Sequence, residues 1–180
     1  MSEAHPPIQI VNEHDKPLRG GTMDEVQLQG LWHRVAGVMV EDTQKNKYLL
    51  QKIAPNPYYS GGKWNISATG HVDNGESYLE AATRELCEEM GVKGLSLVKF
   101  DYYVSSKTSF RAGHDRTYNR FYTIFTAEAD PSLVVVEPNR DEVEDVHWAS
   151  RRELLDMYDN NPEIMDDTLK KFVERIVNGD

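Results

Sequence analysis

Residues 70–92 read GHVDNGESYLEAATRELCEEMGV, and the fold is decided by how this stretch is read. Ser77 with Glu80 three positions on is a capping box. The serine oxygen accepts from a helix N–H that lacks an intrahelical partner, and the glutamate reaches back to the serine's own N–H. A helix is therefore predicted from about Tyr78. Leu79, Ala82, Leu86, Cys87 and Met90 recur at helical spacing as an apolar stripe, and Gly91 supplies the left-handed residue that ends the run. The other side is predicted to carry Glu85, Glu88 and Glu89 at i, i+3 and i+4. Like charges so placed destabilise an isolated helix by roughly 0.2–0.5 kcal/mol per pair, and only Arg84, four residues from both Glu80 and Glu88, offsets this nearby. A hard divalent cation would relieve the repulsion. Mg²⁺, with Mn²⁺ as a substitute, takes oxygen ligands and commonly sits between carboxylates and substrate phosphates.

Outward from this helix, the 180 residues suit one globular domain with a sizeable core, and 39% hydrophobic with 28% charged residues is an ordinary soluble composition. A formal charge of −10 argues against an affinity built on neutralising a nucleic-acid polymer. The single cysteine, Cys87, excludes an intrachain disulfide framework, and its place on the apolar stripe predicts a buried small hydrophobe. The first residues, MSEAHPPIQIVNEHD, carry neither a basic nor an apolar signal region, and no apolar run reaches the ~18 residues of a membrane span. The expectation is a cytoplasmic protein with no membrane partner.

Ile8 to Val11 is a brief β-prone run, and HDKPLRGG a turn into a second short segment, so residues 1–30 read as an N-terminal extension packed on a domain of residues 31–180. Trp32 to Val40 and Tyr48 to Ile53 read as a hairpin. APNPYYSGGKW is a loop by composition, followed by a short strand from Asn65 to Ala68. Tyr58 and Tyr59 in that loop are equally suited to packing and to stacking on a substrate ring. Two β-prone segments, Leu95 to Val104 and Arg120 to Ala127, flank SSKTSFRAGHDRTYN. This reads as a polar loop whose Lys107, Arg111, His114 and Arg116 either meet solvent or a terminal phosphate. A strand over Val143 to Trp148, a second capping box at Ser150 and Glu153, and an apolar helical face of Met165, Leu169, Phe172, Val173 and Ile176 complete an α+β domain.

Gly70, Glu76 and the run Arg84-Glu85-Leu86-Cys87-Glu88-Glu89-Met90-Gly91-Val92 resemble the Nudix box at every position. LLQ at 49–51, WNISATGHV at 64–72 and EVEDVHW at 142–148 extend the likeness over nearly the whole chain from Ile8. The resemblance implies a Nudix-type α/β/α sandwich with a mixed central sheet. It also implies a Mg²⁺-dependent enzyme that cleaves a diphosphate bond in a nucleoside diphosphate linked to another group. Glu85, Glu88, Glu89 and the Gly70 carbonyl match the metal-binding positions. Arg84 orients Glu85, which is ligand or base; Glu76 is a supporting residue. Glu142, with Glu144 next, is the candidate for a further carboxylate from a loop.

LWHRVAGVMV at 31–40, LLQ and WNISATGHV also resemble the isopentenyl diphosphate isomerase branch, where the segments holding His33 and His71 help bind metal. That branch carries a cysteine before its Gly-His pair and a glutamate on a later strand. Here Thr69 takes the first place, and Arg120, within TYNRFYTIF, takes the second. The hydrolase is therefore the expectation. An isomerase and a non-catalytic diphosphate-binding module are the alternatives. Tyr58, Tyr59, His71 and Arg120 are the candidates for contact with a small-molecule diphosphate, and a homodimer is one arrangement the chain allows.

Overall fold

Strand β3 (Trp32–Asp42) is the element on which the sheet assembles, in a computed structural model that describes residues 6–55, 61–111 and 113–179. Before it come a hairpin, β1 (Ile8–Val11) and β2 (Pro17–Gly21), and a short helix α1 (Met23–Leu28). After it come β4 (Lys47–Ile53), β5 (Trp64–Asn65), β6 (Ala68–His71) and helix α2 (Tyr78–Met90). Then follow the ribbon β7 (Val98–Arg111) and β8 (His114–Glu128), β9 (Val143–Ser150), α3 (Arg151–Asn160) and α4 (Asp167–Asn178).

One side of β3 pairs in parallel with β8, from Trp32↔Asn119 to Glu41↔Glu128. Its other side meets β1 at Ile10↔His33, then β6 antiparallel over Val35–Val38, then β4 antiparallel over Val40–Asp42. The sheet is thus mixed. The change of partner from β6 to β4 parts those two strands. Ser67 fills the parting, where its Oγ accepts from Val40 N at 2.8 Å and donates to the Leu49 carbonyl at 2.6 Å, so backbone groups that neither ladder reaches are satisfied.

Side chains alternate across β3. Ala36, Val38 and Val40 pack with Ala82, Leu86 and Met90 of α2. Val35 and Met39 pack with Leu154 of α3 and Leu169 and Phe172 of α4. Helices therefore cover both faces, giving the expected α/β/α sandwich, and each large apolar side chain so buried contributes roughly 1.5–3 kcal/mol. No helix among the described residues is long and apolar enough to cross a membrane.

The polar stretch from Ser105 to Asn119 is ribbon rather than loop. Its register runs unbroken from Asp101↔Ile124 to Arg111↔His114, around Gly113 at φ 81°. Its polar side chains satisfy each other across the strands, Thr108 with Thr117 at 2.9 Å and Ser106 with Asn119, which is why a hydrophilic sequence forms strand here. Arg116 turns inward and donates to Asp24 and Gln27, both at 2.9 Å, tying α1 to β8 instead of facing a phosphate. Lys107 pairs with Asp167 at the start of α4. The last helix begins at Asp167, after a 3-10 turn over Pro162–Ile164, because Asp166 caps it by accepting from Thr168 N.

The largest revision concerns α2. Its capping box is present, and Gly91 ends it at φ 69°. Leu79 is exposed, however, and Cys87 is only half-buried. The buried set is Ala81, Ala82, Glu85, Leu86, Glu89 and Met90, so the helix is rotated and two of the three glutamates face the sheet. Ala81 and Ala82 make this fit, because their short side chains let α2 approach β3 and β6 closely.

Candidate functional site

Glu89, in the last turn of α2, lies against the parting between β4 and β6. Its Oε2 accepts from Thr69 N at 2.9 Å and from Gln51 Nε2 at 2.8 Å. Burial, then the nearby Glu85, hold its carboxyl well above the usual range in spite of these two bonds. Glu85, one turn earlier, is raised to about 7, again chiefly by burial and against the pull of Arg84. Glu88 points to solvent.

Arg84 is the hub of this turn. Nε and Nη2 grip both oxygens of Glu76 at 2.9 Å, Nη1 reaches Glu85 at 2.7 Å and Glu88 at 3.0 Å, and Nη2 also donates to the His71 carbonyl at 2.9 Å. It does not pair with Glu80, which its spacing also allowed, since Glu80 is engaged in the capping box. Glu76 itself accepts from Asp73 N and so fixes the turn ahead of the helix. Both Glu76 oxygens are engaged by Arg84.

Gly70 lies directly under Glu85, and a Cβ there would overlap the Glu85 carboxylate. The carboxylate rests on bare backbone. Glu142 comes from the loop before β9, where Asn139 steadies its side chain at 2.9 Å, and its charge acts on both Glu85 and Glu89. Asn139 N donates to the Glu89 carbonyl, tying this loop to the end of α2. Glu144, the other candidate, pairs with Lys52.

Glu85, Glu88, Glu89, Glu142 and the Gly70 carbonyl are an all-oxygen set, and among the described residues the cation bonded to it is Arg84, which also grips Glu76. That donor chemistry suits a hard divalent ion. Among the described residues no three carboxylate, histidine or cysteine groups already converge on one point, and Arg84 Nη1 takes the place of a cation between Glu85 and Glu88. Gly70, with no Cβ, lets the Glu85 carboxylate lie directly against the backbone of β6.

His71 and Arg120 stand apart from this set. Strand alternation sends Gly70 toward α2 and His71 to the opposite face, where its ring stacks on His33 and the register of β3 with β6 and β8 sets it on the side of Arg120 and Tyr122. Tyr58 and Tyr59 lie outside the described residues. The sequence reading missed Gln51 and the Thr69 N–H as partners of Glu89, and Tyr118 beside Arg120. Only Gln51 left a signal, as the polar residue ending the apolar run of β4. A mostly apolar groove of about 580 Å³ lies beside α2, lined in part by Leu79, Leu86, Cys87, Leu95 and Leu97, with Arg84 and Lys93 among its polar residues.

The model of the NUDIX domain matches residues 31–172. An isopentenyl-diphosphate Delta-isomerase 2 from Photorhabdus laumondii subsp. laumondii is 30% identical over 168 residues, 91% of this chain and 88% of that protein. An isopentenyl-diphosphate Delta-isomerase from Rhodobacter capsulatus is 31% identical over 84% of this chain and 82% of its own length. Among solved structures, DR0079 from Deinococcus radiodurans superposes with a TM-score of 0.69 at 21% identity, over 93% of this chain and 97% of that one. A MutT protein from Methanosarcina mazei Go1 gives 0.59 at 19% identity, over 82% and 94%. The carboxylate turn on α2, the bare backbone beneath it and the match over most of the chain agree, and the chain belongs to the NUDIX domain family.

Proposed function

We propose that this protein is a Mg²⁺-dependent hydrolase of a diphosphate bond in a small molecule, a nucleoside diphosphate linked to another group. The observation that carries this is the single turn that bears Glu85, Glu88 and Glu89, with Glu85 seated against the Gly70 backbone and Arg84 joined to Glu85 and Glu88. Glu88, Glu89 and the Gly70 carbonyl would hold the ion, with Glu85 beside them; Mn²⁺ would serve in its place. The ion would lower the pKa of water and stabilise charge on the leaving phosphate. Arg84 orients Glu85 and Glu88 while clamping Glu76 and the His71 carbonyl, so the turn keeps its shape as charges change. The charge of Glu142 acts on Glu85, and in this reading one of these two carboxylates would take the proton of an attacking water.

The names of the curated relatives favour a second reading, isomerisation of isopentenyl diphosphate. That chemistry protonates and deprotonates carbon, and the resemblance assigns it a cysteine and a glutamate. Here Thr69 Oγ1 is engaged with Asn65 Nδ2 at 3.1 Å, and Arg120 is a cation that can serve as neither. Cys87 is on α2 and does not stand in. A screen of diphosphate compounds with Mg²⁺, read by phosphate release and product mass, tests the hydrolase. Dimethylallyl diphosphate formed at an enzymatic rate from isopentenyl diphosphate would overturn it.

A further inference from the structure

Arg120, half-buried on the face of the sheet away from α2, carries a charge that no carboxylate among the described residues offsets. Its Nε donates to His33 Nε2 at 3.2 Å, its Nη1 to Tyr122 Oη at 3.1 Å, and its guanidinium lies 4.7 Å over the Tyr118 ring. All of these partners are uncharged acceptors or π faces. A partly desolvated cation without a counter-ion is costly, and an arriving anion would remove that cost. Two further polar atoms, His71 Nε2 and Tyr118 Oη, are buried with no hydrogen-bond partner. The register sets each of them near Arg120 from a different side: His33 faces Arg120, Val35 faces both Tyr122 and His71, and Tyr118, Arg120 and Tyr122 alternate onto one side of β8. The His33 and His71 rings stack with centroids 5.3 Å apart.

A divalent cation does not fit here. His33 Nδ1 bonds the Leu31 carbonyl at 3.0 Å, which places its proton there and leaves Nε2 as the lone pair. Arg120 Nε–H occupies that lone pair. A metal ion would have to displace the guanidinium and then sit beside it.

We propose that Arg120, His71 and Tyr118 form a subsite for a small anionic group, a phosphate or a carboxylate, on the part of the substrate remote from the glutamates. Nη2 of Arg120, the His71 imidazole in its Nε2–H form and the Tyr118 hydroxyl would supply the donors, a combination that suits phosphoryl and carboxylate oxygens. The subsite adjoins the carboxylate turn through one peptide, since Arg84 holds the carbonyl of His71 while Gly70 lies under Glu85. This deepens the function proposed above and rests on it for the second anchor: a substrate with its diphosphate at the glutamates and another anionic group at Arg120.

The test is a titration of the whole protein with inorganic phosphate in excess chelator, read by NMR of the histidine ring protons, with His71→Asn used for assignment. The expected result is a saturable shift of the His33 and His71 signals. Affinity should be about tenfold weaker in Arg120→Gln and reduced in Tyr118→Phe, which removes one oxygen and keeps the fold, while Glu88→Gln should not weaken it. Acetate titrated alongside tells the two sources apart, and saturation by either one supports the subsite. Rings that neither anion shifts, or an affinity unchanged in both Arg120→Gln and Tyr118→Phe, would overturn it. The measurement needs neither metal nor turnover. Failure to hydrolyse any diphosphate would therefore sink the enzymatic reading while leaving this result intact.

Discussion

Gly70 and His71 are consecutive residues of β6, and they serve regions of opposite character. Gly70 faces α2, where Glu85, Glu88 and Glu89 gather three carboxyl groups in a single turn. His71 faces away, toward Arg120, where a guanidinium stands among two imidazoles and phenols. The first region comes from one helix and is fixed by a spacing of three and four residues. The second is assembled from β3, β6 and β8, whose contributing residues lie far apart in the chain. An acidic cluster and an unpaired cation on either side of one strand make sense together if a metal ion completes the first and an anionic group the second.

Separating the two regions is the purpose of the first and largest change. Glu88→Gln and Glu89→Gln, each nearly isosteric, should lower diphosphate turnover by about a hundredfold or more while circular dichroism shows an unchanged fold, because carboxylate charge is what a divalent ion requires. Near-normal activity in both variants would break the assignment.

Gly70→Ala should come next. The new methyl overlaps the Glu85 carboxylate, and overpacking of this kind costs about 1–3 kcal/mol, so urea unfolding should show the loss alongside reduced turnover. A variant that keeps both stability and activity would show that the glycine beneath Glu85 is dispensable.

The metal-free protein should also lose stability as pH rises. Glu85 is held at about 7 against an ordinary 4.5, so between those values the unfolded chain gives up its proton while the folded one keeps it. The folded state is then favoured below about pH 4.5 and its advantage shrinks up to about pH 7, with Glu89 adding in the same sense. Glu76, held low by Arg84, acts with the opposite sign at more acidic pH. Thermal unfolding of chelated protein should therefore show a falling Tm from pH 5 to 7.5. Mg²⁺ should raise Tm most at the alkaline end, by mass action on the ionised carboxylates. A Tm that Mg²⁺ leaves unmoved at pH 7.5 would count against a metal site.

The smallest effect sharpens the contrast. Ser77→Ala removes the N-cap of the helix that bears the carboxylates and should cost about 1 kcal/mol in chemical denaturation. The strand-borne cluster does not depend on that cap, so phosphate affinity in chelator should stay as in the parent protein.

Several features are dictated by the order of residues alone. Both capping boxes, the Gly91 stop, the spacing of Glu85, Glu88 and Glu89 and the place of Gly70 are local, set by contacts within about four positions of the chain, and periodicity reads such contacts directly. The α+β make-up follows similarly from β-prone runs set between helical ones, while the sandwich is implied by the family resemblance. Which way α2 turns its faces is not local. The stripe containing Leu79 and Cys87 looks like the buried one, but the close approach permitted by Ala81 and Ala82, and the backbone donor of Thr69 waiting for Glu89, rotate two carboxylates inward. The ribbon through Ser105 and Asn119 is equally hidden, since its polar side chains are satisfied only by partners across the pair. Arg120 shows the difference most sharply. In the sequence it is a basic residue in a β-prone run; in the fold, the parallel register of β8 against β3 sets it beside His33. Pairing between distant strands, which no spacing within either strand encodes, decides what that charge can meet.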